Sequence, residues 1–156
     1  MSTHHFKAIL KWELKDKPEN STQRFYAKSH EISFEGKELL KVSAAKVFKG
    51  DPALLNPEDL LLSSVTSCHM MSYLFVCSQN NIEVLSYKDH SEAILEVNAN
   101  GSGKITQIIL KPIIKIKDSS QSELALSLHQ KANELCFIAN SCNFPIEHHV
   151  TIENEN

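Results

Sequence analysis

A chain of 156 residues, 42% hydrophobic and 22% charged, fits one globular domain over residues 1–156, or a domain that completes its core by pairing with a copy of itself. The net charge of −3 and the single arginine, Arg24, argue against a nucleic-acid surface, because neutralising phosphates takes clustered Lys and Arg. The opening "MSTHHFKAILKWELK" alternates polar and apolar residues, so it reads as neither a signal peptide nor a membrane span, and a cytoplasmic protein is expected.

From Phe6 to Leu14 the alternation puts Phe6, Ala8, Leu10, Trp12 and Leu14 on one side, the period of a half-buried strand. "KDKPENSTQ" reads as a loop, and a second strand is expected from about Tyr26 to Phe34, with Gly36 marking a turn. By parity Arg24, Lys28 and His30 share the face of Tyr26, Ile32 and Phe34, so basic groups point where the core should be. They are either snorkelling stems at a fraying strand end or cations held in a site. A third strand, Glu38 to Ser43, precedes a loop through Gly50 and Pro52.

The first helix is expected to open on Asn56 as N-cap, with Pro57 at its first position and Glu58 and Asp59 in the first turn, and to run to about Gln79. Extended segments follow at Ile82 to Tyr87 and Ala93 to Val97, then a turn at "NANGSG" and one or two strands from Ile105 to Lys117, interrupted by Pro112. Ser120 and Glu123 form a capping-box pattern opening a second helix, with Leu124, Leu128, Ala132, Leu135 and Ala139 as its apolar stripe. A final strand, about Phe144 to Ile152, completes an α+β order.

The four cysteines, Cys68, Cys77, Cys136 and Cys142, contain no CxxC pair, which excludes the thioredoxin motif and common zinc spacings. Cys68 lies about ten residues into the first helix, where a thiol packs as a small hydrophobe unless a cation stabilises its thiolate; the first-turn amides are too far away. The basic residues of the second strand could supply that charge, and Glu58 could orient it. At about 1.5 Å per residue, Glu58 and Cys68 stand about 15 Å apart along one helix, so a loop or a second subunit must bring Glu58 to the site. If the two helices pack together, Cys136 can come within disulfide range of Cys68, with Cys142 as a competing partner; Cys77, nine residues on, cannot reach. A thiolate, a cation and a second thiol together define a peroxide-reducing site, and an apolar pocket would favour organic hydroperoxides.

"NPEDLLLSSVTSCHMMSYL" resembles the helix motif of the OsmC/Ohr family, the osmotically induced and organic hydroperoxide resistance proteins. The likeness rests on N-P-E with a cysteine ten residues after the Glu, a second cysteine 68 residues later in a second helix, and the order of elements along nearly the whole chain. The resemblance implies antiparallel sheets packed on two long central helices in an intertwined homodimer with active sites at the subunit interface. It implies a peroxidatic Cys68, a resolving Cys136 and a matching Glu58, with no cofactor. It further implies reduction of organic hydroperoxides in oxidative stress defence and regeneration by dithiols such as lipoylated proteins. The sequence departs from the family at two places. The arginine position holds Lys28 in "FYAKSHEISF", with Arg24 four residues earlier, and lysine offers a point charge in place of a planar fork. The second cysteine is followed by Phe-Ile-Ala-Asn-Ser where many members have proline.

Two other functions fit the residues. One is a non-catalytic dimer that binds a small apolar ligand at the interface, with Cys68 and Cys136 as packing residues. The other is a metal site built from Cys68, His69 and Cys136 with His148 or His149; it is disfavoured because His69 points about 100° away from Cys68 on a helix.

Overall fold

The computed structural model describes residues 2–14 and 26–154. It divides into two compact units, Met1–Leu60 and Leu61–Asn156. Arg24 lies outside the described residues.

In the first unit, β1 (Ile9–Lys11), β2 (His30–Ser33) and β3 (Leu40–Val42) form an antiparallel meander. Ile9 pairs with Ser33 and Ile32 with Leu40, and Gly36, at φ +70, supplies the left-handed residue of the β2–β3 turn. The strands are shorter than their alternation suggests, and the expected inward face of β1 is open: Phe6 is 95% and Leu10 61% exposed. Alternation sets which residues share a face but not whether anything covers it. Val42 and Ser43 are buried where Ser43 donates its amide to Leu55 O (2.8 Å) and its hydroxyl oxygen accepts from the Asp51 amide (3.1 Å). That loop folds so tightly that a Cβ on Gly50 would stand 1.7 Å from Ala44 O. Gly50→Ala is therefore expected to cost about 1–3 kcal/mol, as overpacking against backbone does. A urea midpoint equal to that of the parent would disprove it.

α1 (Pro57–Gln79) begins where its cap predicts. Asn56 Oδ1 accepts from the Asp59 amide (2.9 Å) and Asp59 Oδ2 accepts from the Asn56 amide (3.2 Å), a reciprocal box. The helix ends in a Schellman arrangement: Asn81 takes φ +55, Ile82 N donates to Cys77 O (3.0 Å) and Asn81 N to Ser78 O (3.4 Å). It is long and apolar enough to cross a membrane, yet Val65, His69, Tyr73, Val76 and Cys77 form a buried stripe at helical spacing. That stripe gives it the role of a core helix.

The rest of the second unit consists of β4 (Val84–Asp89), β5 (Glu92–Val97), β6 (Gly103–Leu110), β7 (Pro112–Ile116), α2 (Ser122–Leu135), β8 (Ile146–His148) and β9 (Thr151–Asn154). They pair in the orders β4-β7-β9 and β5-β6-β8, antiparallel except that β8 and β9 join β6 and β7 in parallel. Each step from one sheet to the other takes one or two residues, at 90–91, 111 and 149–150, and these breaks lie side by side. His90 N donates to Lys111 O (3.4 Å) and His149 N to Leu110 O (2.8 Å) across them. Asp89 pins the row, accepting from the Lys111 amide (2.7 Å) and from the Thr66 hydroxyl of α1. The two sheets thus read as three long strands bent in register. The expected single last strand is two, β8 and β9, because its residues serve both halves. Pro112 is the first residue of β7, a position where its missing N–H costs least.

α2 also corrects the sequence reading. Ser120 does not cap it; a 3-10 turn, Ser119–Gln121, precedes it, and Asp118 Oδ1 accepts from the Ser120 amide (2.9 Å). The buried residues are Ala125, His129 and Ala132, while Leu124 and Leu135 are exposed. The helix stops at Leu135, so Cys136 is its C-terminal cap and Ala139 lies in a separate 3-10 turn, Ala139–Ser141. Two apolar clusters result. One holds Tyr73, Val76, Cys77, Ile82, Ile114 and Ile116 with Ala125 and Ala132; the other holds Val65, Ile108 and Leu110 with Leu62, Phe144 and Ile146 around them. Each large aliphatic side chain buried there contributes about 1.5–3 kcal/mol.

Candidate functional site

Two cysteines that stand 68 residues apart meet in the second unit. Cys68 is half-buried on α1 and Cys136 is buried at the end of α2; both are free thiols, and their side chains lie close enough for Cys68 to affect the ionisation of Cys136. Burial, and then the neighbouring Cys68, push the Cys136 thiol up to about 11, against a smaller pull from the Ala139 and Ile138 amides. Of the two sulfurs, that of Cys68 is the one with access to solvent.

The turn after α2 organises the other thiols. Ala139 N donates to Cys136 Sγ (3.4 Å), while Cys142 Sγ donates to Ile138 O (3.3 Å). Ile138 O and Ala139 N belong to one peptide group, so the two thiols grip opposite ends of it. Burial holds the Cys142 thiol above its ordinary range, and burial does the same for Cys77, opposed by a hydrogen bond with Tyr73.

The other residues expected at the site are placed differently. Glu58 is half-buried in the first turn of α1, which runs unbroken to Cys68, so the two remain about 15 Å apart along the helix. Lys28 is exposed and its ammonium donates to Phe48 O; His30 is half-buried, and its Nδ1–H donates to Lys28 O (2.8 Å). The inward-facing cation expected on β2 is therefore not formed by Lys28 within the first unit. That unit carries an open cavity of about 660 Å³ lined by Lys11, Trp12, His30, Lys41 and Asp51 among others.

Sequence reasoning missed a buried cluster of three imidazoles. His69 Nε2 and His129 Nδ1 are 3.0 Å apart, sharing one proton in a hydrogen bond between α1 and α2. The His148 ring lies 4.4 Å from that of His69, and Tyr73 stacks on His129 at 3.9 Å. Burial, then the neighbouring His148, holds His69 down to about 3; burial, then His69 and His148, holds His129 to about 3. Burial lowers His148 too, although Asp89 opposes it. His69 Nδ1, His129 Nε2 and His148 Nε2 have no hydrogen-bond partner among the described residues. No group of three His, Cys, Asp or Glu among the described residues is placed to hold a metal ion, so the imagined Cys68–His69–Cys136 centre is not assembled. His69 turns inward to His129 while Cys68 turns to Cys136. The signal that could have found the trio is the spacing His69–Tyr73 on the inward stripe of α1.

Residues 50–151 match the family model for OsmC-like protein. Among individual relatives, the uncharacterized protein YmaD of Bacillus subtilis (strain 168) is 25% identical over 150 residues, covering 94% of this chain and 92% of its own length. An OsmC-like protein of unknown function from Vibrio cholerae O1 biovar eltor superimposes with a TM-score of 0.83 at 28% identity, over 95% of this chain and 99% of that one. An organic hydroperoxide resistance protein OsmC from Legionella pneumophila gives 0.69 at 18% identity, over 98% and 99%, a likeness of fold. With its element order, its paired sheets, Cys68 on its first helix and Cys136 capping its second, this chain belongs to the OsmC-like family.

Proposed function

We propose that the protein is a two-cysteine peroxidase of organic hydroperoxides acting in the response to peroxide stress. The observation that carries this reading is the meeting of the half-buried Cys68 with the buried Cys136. The Cys68 thiolate attacks the outer peroxide oxygen, forming a sulfenic acid and releasing an alkoxide that takes up a proton to leave as an alcohol. The Cys136 sulfur then displaces hydroxide from the sulfenic acid, giving a disulfide and water. A dithiol, for which a lipoylated protein has the right chemistry, returns both thiols. Met71, one turn after Cys68 and exposed, puts apolar surface near the thiol and supports a preference for an organic peroxide.

The working unit in this reading is a single OsmC-like domain, residues 1–156, in a cytoplasmic homodimer. Exposed large apolar side chains, Leu10 and Trp12 in one unit and Met71 and Phe75 in the other, supply surface for pairing. A second copy brings Glu58 and a cation, Lys28 or Arg24, to the thiolate, which one copy of α1 cannot do for Glu58. The test is mass-spectrometric mapping after one equivalent of cumene hydroperoxide with free thiols blocked. A Cys68–Cys136 disulfide formed within seconds is expected; four unmodified thiols would replace this reading with that of a ligand-binding dimer.

A further inference from the structure

Reducing a disulfide between Cys68 and Cys136 poses a choice that the proposed peroxidase reading leaves open: which sulfur does the incoming thiol take, and which one leaves? Displacement needs in-line access to the attacked sulfur and favours the leaving group whose thiolate is better stabilised.

Cys136 is 0% exposed, whereas Cys68 is half-buried. Association with a second copy only removes surface, so it cannot make Cys136 the more accessible of the two. The Ala139 amide is already aimed at Cys136 Sγ (3.4 Å), and the same peptide is held at its other end by Cys142 Sγ on Ile138 O (3.3 Å). Ala139 opens its 3-10 turn, where an amide has no partner inside the turn, so its proton is available for a thiolate.

We propose that the backbone amide of Ala139 is a catalytic group of the reductive half-reaction, a fixed donor that makes Cys136 the leaving sulfur while the reductant attacks Cys68. The step rests on the peroxidase reading for its disulfide. A reductant thiolate forms a bond to Cys68 Sγ as the Cys68–Cys136 bond breaks, and the electron pair goes to Cys136 Sγ, where the Ala139 N–H strengthens its hydrogen bond to the new charge. The second thiol of the reductant then attacks its own sulfur in the mixed disulfide. Cys68 is expelled as a thiolate and the reductant leaves as a cyclic disulfide. Burial holds Cys136 high, so the amide offsets only part of the cost of a buried thiolate, and access makes the larger part of the choice. In this arrangement the Ser141 amide (3.0 Å) and Cys142 Sγ (3.3 Å), both donating to Ile138 O, keep the peptide facing Cys136.

The experiment forms the disulfide with diamide, which oxidises two neighbouring thiols without needing a peroxide, then adds a limited amount of 2-mercaptoethanol, quenches in acid and maps the adduct. A monothiol completes the second step only through a second molecule, so a limited amount and an early acid quench trap the mixed disulfide before a further thiol or the freed cysteine removes it. An adduct on Cys68 with Cys136 free, in roughly tenfold excess or more, is expected. An adduct on Cys136, an even split, or no disulfide between the two cysteines overturns the proposal. Ala139→Gly keeps the amide and should form the adduct within about twofold of the parent rate. Ala139→Pro lacks the N–H and should be roughly tenfold slower, and an unchanged rate in folded protein removes the amide from the mechanism. Proline is tolerated at a first helical position but restricts the preceding residue, and Ile138 is helical here, so a thermal melt accompanies that variant. If it does not fold, the adduct map on the parent chain still decides. Replacing diamide by cumene hydroperoxide separates the two claims: a disulfide from diamide but none from the hydroperoxide sinks the peroxidase reading and leaves the direction of reduction standing.

Discussion

Cys68→Ser is expected to lower hydroperoxide turnover by about a thousandfold or more while leaving the far-ultraviolet circular dichroism and oligomeric state unchanged. Effects of that size accompany loss of a nucleophile whose partners act only through it. Serine is close to cysteine in volume and keeps a hydrogen-bonding atom beside Cys136, so the packing of α1 against α2 is preserved. What is lost is the thiolate, since a hydroxyl stays protonated near neutral pH and attacks peroxide oxygen poorly. Cys136→Ser should behave differently, consuming about one equivalent of hydroperoxide and then stalling as a sulfenic acid at Cys68, trappable by dimedone. Retained steady-state turnover in Cys68→Ser would refute the assignment of the nucleophile.

The second large effect concerns acid. His69 and His129 are held to about 3 in the folded chain and return to about 6.5 when it unfolds. The unfolded state therefore binds protons that the native state refuses, and stability that is fully present above about pH 6.5 is lost as pH falls toward 3. Because the two rings share a hydrogen bond they titrate as a pair, and at about pH 5 the linkage for the first proton is on the order of 2 kcal/mol. His148 acts in the same direction, tempered by Asp89 beside it. Urea midpoints at fixed protein concentration should drop between about pH 7.5 and 5, and His129→Phe, which also stacks on Tyr73, should flatten that slope whatever its effect on stability at neutral pH. An acid slope unchanged in His129→Phe would show that the imidazoles do not carry the linkage.

Local chemistry made α1 legible: Asn56, Pro57 and the acidic first turn fix its start, and the structure adds only that Asp59 returns the hydrogen bond. The meeting of Cys68 with Cys136 could be anticipated because helix packing and the family motif point the same way. The inward face of α2 could be anticipated only in part. Of the expected stripe, Ala132 is buried and Leu128 packs against the core, but Leu124 and Leu135 are exposed, and Ala125 and His129 are the other residues that face inward. The trio escaped notice for a related reason, since α1 is apolar on nearly every side and an inward histidine has no polar face to stand out against. The β8–β9 break was hidden as well, because His148–His149–Val150 contains no glycine or proline and the bend is imposed by neighbouring strands. The open face of β1 shows the limit of periodicity, which cannot say what lies opposite.

The imidazoles sit between the two apolar clusters, with His69 between Val65 and Tyr73 on α1 and His148 between Ile146 and Val150 on the bent strand. Aliphatic surfaces fit one another in several offsets, whereas a ring-to-ring proton bridge fits in one. Sliding α1 by a single turn would carry His69 about 5.4 Å from His129 and strand two more nitrogens in the interior. The cluster that makes the fold sensitive to acid thus also works as an alignment mark, fixing how far along the sheet the helix lies and so which residue of α1 faces the thiol of Cys136.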